Sequence, residues 1–152
     1  MKSILARPAA KELYEQDFLE WTARNAELLR SGRVQEADLE HIAEELEDMG
    51  KRQKHELTSR IRVLLTHLLK WQLQSQRRSG SWKATINNQR GEFSSLLDDM
   101  PSLGNILGQS LPLVYRRAVL KAVGETGLPE NMFPPACPFS LDQVLDPEFL
   151  PQ

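Results

Sequence analysis

The sequence predicts an all-α fold, a bundle of four to five helices with one long helix and an extended proline-rich C-terminal segment. Two observations lead to this prediction. Apolar residues recur at spacings of three and four along most of the chain, with no alternating strand-like run. Six of the nine prolines lie between Pro129 and Pro151, where they prevent a long helix. With 152 residues the chain suits one domain, 1–152, which needs no disulfide or metal to fold.

The first two helices follow from this periodicity. The spacing predicts one amphipathic helix over about residues 9–30, which begins after Pro8 and ends at Ser31-Gly32. A second apolar series runs in phase from about residue 36 to 76. Gly50 interrupts this series without shifting its phase, so the segment is one continuous or gently bent helix, or two helices hinged at Gly50. The unbroken phase favours the continuous helix.

The second half of the chain holds shorter elements. A turn at 75–81, in which a serine can cap the next helix, precedes a helix that reaches about Met100. We expect a short helix or helical turn at 103–107 and a last long helix at 111–122 after the boundary at Pro101. We expect 1–8 to be a flexible N-terminus and 128–152 to be a strap over the bundle, with a short helix near 141–145.

The charges are strongly segregated along the chain. Residues 12–48 carry 12 acidic and 3 basic side chains, and residues 51–90 carry 10 basic and 1 acidic. Such blocks allow two interpretations. Acidic and basic helices can pair inside one bundle, which the net charge of −2 favours. Alternatively, 51–90 is a nucleic-acid-binding surface.

The composition also bears on the compartment. Cys137 is the single cysteine, so no intrachain disulfide forms. No apolar run approaches the ~20 residues that span a bilayer, and no secretory signal follows Met1. We therefore expect a cytoplasmic protein that does not associate with a membrane.

An acidic cluster with histidine is the first candidate site. Asp38, His41 and Glu44 follow one another at spacings of three, so neighbours share a helix face. With Glu45 and the distant His67, these residues are candidate ligands for a divalent metal. A solvated acidic face near a helix start is the alternative, and we expect no cofactor.

Polar residues on the apolar faces are the second candidate. Asn25, Glu45, His67 and Gln89 each fall between apolar residues at helical spacing, and Arg90 borders Gln89. Buried polar groups are costly unless they are paired, so we expect a cluster of Asn25, Glu45, His67 and Arg90, for example through Glu45 with Arg90 or His67. Such a cluster fixes helix register or lines a ligand pocket.

Several short stretches resemble one known family. They are YEQDF at 14–18, EELEDMG at 44–50, HLLKW at 67–71, SW at 81–82, PSL at 101–103, ETGL at 125–128 and CPFSL at 137–141. From about residue 11 to 151, the chain resembles the bacterial domain-of-unknown-function family 29. The resemblance implies an all-α fold and supplies no activity, substrate or catalytic residue.

The function that these features favour is a non-enzymatic helical interaction or regulatory module. Recognisable catalytic spacing is absent, and long amphipathic helices with segregated charge suit helix-mediated association. The partner is another protein or a second copy of the chain in a dimer. Two alternatives stay open: a metal-dependent hydrolase or nuclease that uses the Asp/Glu/His cluster, and nucleic-acid binding by residues 51–90.

Overall fold

A computed structural model describes residues 8–152, so the predicted flexible N-terminus lies outside the described residues except for Pro8. Within that range the chain is all-helical and has no strand, as predicted. The α-helices are α1 Ala10–Gln16, α2 Phe18–Arg30, α3 Leu39–Leu73, α4 Gly80–Asp99, α5 Leu103–Thr126 and α6 Leu141–Leu145. Short 3-10 helices lie at Val34–Glu36, Ser75–Arg77 and Glu130–Met132.

The chain groups into two compact units, which we name unit 1 (Met1–Lys51) and unit 2 (Arg52–Gln152). Unit 1 holds α1, α2 and the first part of α3, and its buried apolar residues are Ala10, Leu13, Trp21 and Leu28. Unit 2 has the larger core, built from the rest of α3, α4, α5 and the segment after α5. Its fully buried side chains include Leu57, Ile61, Leu64, Leu65, Leu68, Leu69, Ile86, Phe93, Leu107 and Val144.

The first predicted helix is in fact two helices, because Asp17 interrupts it. The φ of Asp17 is −154° and its ψ is 87°, which is not a helical conformation. Its carboxylate accepts a hydrogen bond from the backbone N–H of Glu20 at 3.0 Å and so caps α2. Aspartate is a strong N-cap residue, and this local bond competes with continuation of the helix. Apolar periodicity alone does not reveal that competition.

The long helix is confirmed, with ends slightly inside those predicted. α3 spans 35 residues and runs without interruption through Gly50. At 1.5 Å per residue its length is about 52 Å. A glycine costs a helix interior about 1 kcal/mol, which the buried leucines of the second half readily outweigh.

The boundary predicted within 103–122 is wrong, because α5 is continuous from Leu103 to Thr126 and contains Pro112. Leu103, Leu107 and Val114 are all buried at helical spacing on one face. Burial of that face carries the helix through the proline, whose missing N–H costs one backbone hydrogen bond. The helix ends at Gly127, whose φ of 71° is the left-handed conformation that glycine adopts easily.

The chain after α5 contains α6 at the position predicted for a short helix. Ser140 and Gln143 cap its first turn reciprocally, as their spacing indicates. Phe133, Phe139 and Val144 from this segment are buried in the unit 2 core. No helix within residues 8–152 is both long enough and apolar enough to cross a bilayer.

Candidate functional site

Asp38 is the centre of a buried polar cluster in unit 1. Its carboxylate Oδ2 accepts a hydrogen bond from Trp21 Nε1 at 3.0 Å. Its backbone N–H donates to Asn25 Oδ1 at 2.8 Å, and Asn25 Nδ2 donates to the Trp21 carbonyl oxygen at 2.8 Å. All three residues are buried. These bonds fasten the start of α3 to the middle of α2.

His41 extends this cluster toward the surface. Its Nδ1 lies 2.6 Å from Asp38 Oδ2. An ionised carboxylate only accepts hydrogen bonds, so Nδ1 carries a proton and, in the neutral ring, Nε2 carries the lone pair. The Tyr14 ring stacks on the imidazole with 3.9 Å between centroids. Asp38 therefore fixes the imidazole through a hydrogen bond at its edge, and Tyr14 packs against its face.

Tyr14 links α1 to α3 through Glu45. Its hydroxyl donates to Glu45 Oε1 at 2.8 Å. The hydrogen bond to this carboxylate, together with burial and the negative charge of Glu45, raises the pKa of Tyr14 to about 12. Tyr14 is thus a neutral donor at physiological pH.

The Asp38 carboxyl is held in its ionised form. Burial opposes ionisation, but the hydrogen bonds from His41 and Trp21 outweigh it, and the pKa of Asp38 falls below its ordinary value of 3.8. The side chain of Asp38 is only 2% exposed. Hydrogen bonds from His41 and Trp21 therefore take the place of water around its negative charge.

This lowered pKa predicts a pH-dependent contribution of Asp38 to stability. Because the folded state favours the ionised form, the contribution is present above about pH 3.8 and disappears as the pH falls through the lower folded pKa. We expect the difference in free energy of unfolding between wild type and Asp38→Asn to be largest near neutral pH and to shrink below pH 3.8. Urea unfolding at a series of pH values measures it. A difference that stays constant from neutral pH to pH 2 would contradict the assignment.

An aspartate that orients a histidine is also an element of acid–base catalysis. Within residues 8–152, however, no serine, threonine or cysteine side chain hydrogen-bonds to His41. That part of the chain also contains no group of three or more Asp, Glu, His or Cys side chains placed to hold a metal ion. Glu44, one of the candidate ligands, is exposed.

The two predicted site residues in unit 2 bind main-chain oxygens rather than each other. His67 Nδ1 lies 2.9 Å from the Val63 carbonyl oxygen, so it donates within its own helix. Burial lowers the pKa of this half-buried imidazole below 6.5. The hydrogen bonds described for Asn25 and Glu45 lie in unit 1.

Arg90 is buried, as the sequence predicts, and its partners are three carbonyl oxygens. Its Nε, Nη1 and Nη2 donate to Val144, Phe149 and Gln143 at 2.9, 2.8 and 3.2 Å respectively. Five percent of the residue is exposed. The sequence does not mark these main-chain acceptors.

Several basic side chains of the 51–90 segment have partners inside unit 2. Arg60 bonds to Glu56 at 2.9 Å and lies 3.7 Å from Glu92. Lys70 pairs with Glu125 at 2.9 Å. Local carboxylates therefore neutralise part of the segment that the sequence suggested for nucleic-acid binding.

Unit 2 also has an open cleft of about 710 Å³ beside α5. Tyr115 lies in it, but its hydroxyl already donates to the Pro134 carbonyl oxygen at 2.7 Å, and burial raises its pKa to about 12. The remaining lining residues are Arg116, Val119, Leu120, Glu130, Asn131, Phe133, Pro134 and Pro135. This cleft offers no activated nucleophile.

The sequence indicated Asp38, His41, Asn25 and Glu45 but missed the aromatic partners. Trp21 and Tyr14 fall in the apolar series of the helix predicted over residues 9–30, and that series does not mark them as hydrogen-bonding partners. The useful signal was the position of Asp38 directly before an amphipathic series, which is typical of an N-cap.

Comparison with known proteins adds a family and no activity. A family model described as "Domain of unknown function DUF29" matches residues 13–150. No curated protein and no solved structure matches the chain.

Proposed function

Because the chain belongs to the DUF29 family, a domain of unknown function, we propose its role from its own surface: it is a non-enzymatic module that binds a partner helix. The observation that carries this proposal is the exposure of apolar side chains in unit 1. Seven of the ten exposed large apolar residues among residues 8–152 belong to unit 1, namely Phe18, Leu19, Leu29, Val34, Leu39, Leu46 and Met49. This smaller unit buries only four apolar residues, so its exposed large apolar residues outnumber its buried apolar ones.

Four apolar residues at the start of α3 form a stripe, which we name the α3 stripe: Leu39, Ile42, Leu46 and Met49. Their spacings of three, four and three are those of a helix–helix seam. Leu39, Leu46 and Met49 are 50%, 62% and 56% exposed, and Ile42 is half-buried. Isolated exposed leucines need no explanation, whereas a contiguous apolar stripe marks a binding surface.

Charge identifies the kind of partner. Glu40, Glu44 and Glu47 are exposed beside the α3 stripe. Between Pro8 and Lys51 there are 12 acidic and 5 basic side chains. A second copy of this face would bring like charges together, whereas an amphipathic helix with basic flanks complements it. The proposed partner is therefore a basic amphipathic helix, met in the reducing compartment that a chain with one cysteine favours.

The test is binding of a synthetic helical peptide with leucine at alternating third and fourth positions and lysine on both flanks. We expect it to bind the wild-type protein, and Leu46→Ser to weaken binding about tenfold, because one buried leucine contributes about 1.5 kcal/mol or more. Isothermal titration calorimetry measures both affinities. The matched control is Leu120→Ser, since Leu120 is equally exposed at 61% but lies in unit 2.

Two results would contradict this proposal. In the first, the same peptide with glutamate in place of lysine binds equally well, which removes the charge argument. In the second, sedimentation shows a wild-type dimer that Leu46→Ser dissociates, which makes the partner a second copy.

We also propose that residues 128–152 act as a strap that holds unit 2 together. The three hydrogen bonds from Arg90 to this segment and the burial of Phe133, Phe139 and Val144 support the proposal.

A further inference from the structure

A small basic cavity lies between α3 and α5 in unit 2, on a surface separate from the α3 stripe. Its volume is about 20 Å³, and its lining residues are His55, Thr58, Ser59, Arg62, Val114 and Arg117. The four residues from α3 follow at spacings of three, one and three, so they share one helix face. Arg117 faces them from α5, one turn after the buried Val114.

The two helices are in contact next to this cavity. Thr66, one turn after Arg62, donates its hydroxyl to the Arg62 carbonyl oxygen at 2.7 Å, and its Oγ1 lies 3.4 Å from the Ala118 carbonyl oxygen of α5. Thr66 and Ala118 are both fully buried. The cavity is thus set between two long helices whose separation is fixed by packing, not in a loop.

The charges around this cavity are uncompensated. Two arginines and a histidine line it, and no carboxylate does. Throughout residues 8–152, neither Arg62 nor Arg117 forms a salt bridge or a side-chain hydrogen bond, and Arg62 Nε is buried without an acceptor. Arg60, only two residues away, differs because the carboxylates of Glu56 and Glu92 both lie close to its guanidinium group.

Such an arrangement is unfavourable without a ligand. Two guanidinium groups at one cavity repel each other, and a buried N–H without an acceptor loses its hydrogen bond to water and gains nothing in return. An anion removes both costs at once. Guanidinium groups prefer planar or tetrahedral oxyanions, which accept several of their N–H groups together.

We propose that this cavity binds the phosphate group of a small molecule, through Arg62, Arg117 and the hydroxyl of Ser59. Its volume admits about one oxygen atom, since a water molecule needs about 10–15 Å³ measured in the same way. One phosphate oxygen therefore enters the cavity and the others remain at its mouth, beside the exposed Arg117. The ligand is inorganic phosphate or a phosphomonoester. This proposal does not depend on the function proposed for unit 1.

Thermal unfolding with inorganic phosphate, against chloride at equal ionic strength, tests the proposal. A ligand that binds only the folded protein raises the melting temperature with concentration. We expect phosphate to raise it and chloride not to. Arg62→Met should weaken the apparent phosphate affinity by about tenfold or more, because a charged donor to the anion is lost. Arg60→Met, the same change two residues earlier on α3 and outside the lining of the cavity, should leave phosphate binding unchanged.

A second readout separates binding from a structural role. Without phosphate, Arg62→Met should melt at or above the wild-type temperature, because it removes like-charge repulsion and the orphaned N–H. A lower melting temperature for that variant, with no phosphate effect on the wild type, would overturn the proposal. Equal stabilisation by chloride would overturn the preference for an oxyanion.

Binding measurements with two further ligands distinguish free phosphate, a phosphomonoester and a nucleic-acid backbone as the natural ligand. Glycerol phosphate that binds more tightly than inorganic phosphate identifies a phosphomonoester, and the reverse order identifies free phosphate; either result supports the site. A short single-stranded DNA that binds far more tightly than both, and whose binding Arg62→Met abolishes, would overturn the small-molecule proposal in favour of a nucleic-acid backbone.

Discussion

Replacing Arg90 with methionine is expected to lower the free energy of unfolding of unit 2 by about 4 kcal/mol, because three carbonyl oxygens, that of Val144 buried and two others partly buried, lose their charged donor. Methionine keeps much of the aliphatic stem, so the loss reports mainly on the hydrogen bonds. Urea unfolding followed through Trp71 and Trp82, both in unit 2, measures it.

The matched control is Arg60→Met, which removes a partly exposed guanidinium that pairs with Glu56 and Glu92. Surface ion pairs contribute up to about 1 kcal/mol, so this variant should be close to wild type. Limited proteolysis adds a second readout, since the Arg90 variant should be cleaved first within 128–152. If Arg90→Met and Arg60→Met lower the free energy of unfolding equally, and residues 128–152 stay protected from the protease, the proposal that this segment acts as a strap is contradicted.

Replacing Asp38 with alanine is expected to lower the free energy of unfolding of unit 1 by about 3 kcal/mol. The Trp21 indole N–H and the His41 Nδ1–H would both lose their acceptor, and of the two hydrogen bonds between residue 38 and α2 only the one from its backbone N–H to Asn25 would remain. Trp21 is the single tryptophan of unit 1. Its fluorescence in a variant with Trp71→Phe and Trp82→Phe therefore follows this unit during unfolding.

Asp48→Ala is the control for this change. Asp48 is 55% exposed and bonds to Lys51 at 2.9 Å on the surface of the same helix. Its replacement should cost less than about 1 kcal/mol. If both aspartates prove equally dispensable, Asp38 does not organise unit 1.

The sequence predicted well those elements that a single local signal determines. The apolar phase through Gly50 predicted one long α3, and the Ser140 and Gln143 pair predicted α6. The break at Asp17 and the continuity through Pro112 were missed for opposite reasons. At Asp17 a local cap overrides the periodicity, and at Pro112 burial of a helix face overrides a local breaker.

The candidate sites divide in the same way. Burial of Asn25 and Arg90 was predictable, since Asn25 interrupts an apolar series and Arg90 borders Gln89, which interrupts another. Their partners were not, because pairing between elements depends on the offset and rotation of the helices, which one-dimensional periodicity does not fix. Arg90 illustrates this most clearly, as its acceptors are main-chain carbonyl oxygens that any sequence would supply.

An NMR titration of isotope-labelled protein with the lysine-flanked helical peptide tests the central claim most directly, that the α3 stripe is a binding surface. We expect the largest chemical-shift changes on residues 39–51, and we expect them to diminish as salt screens the acidic flank. Changes centred on Leu113 and Leu120, the exposed leucines of α5, or no changes at all, would contradict it.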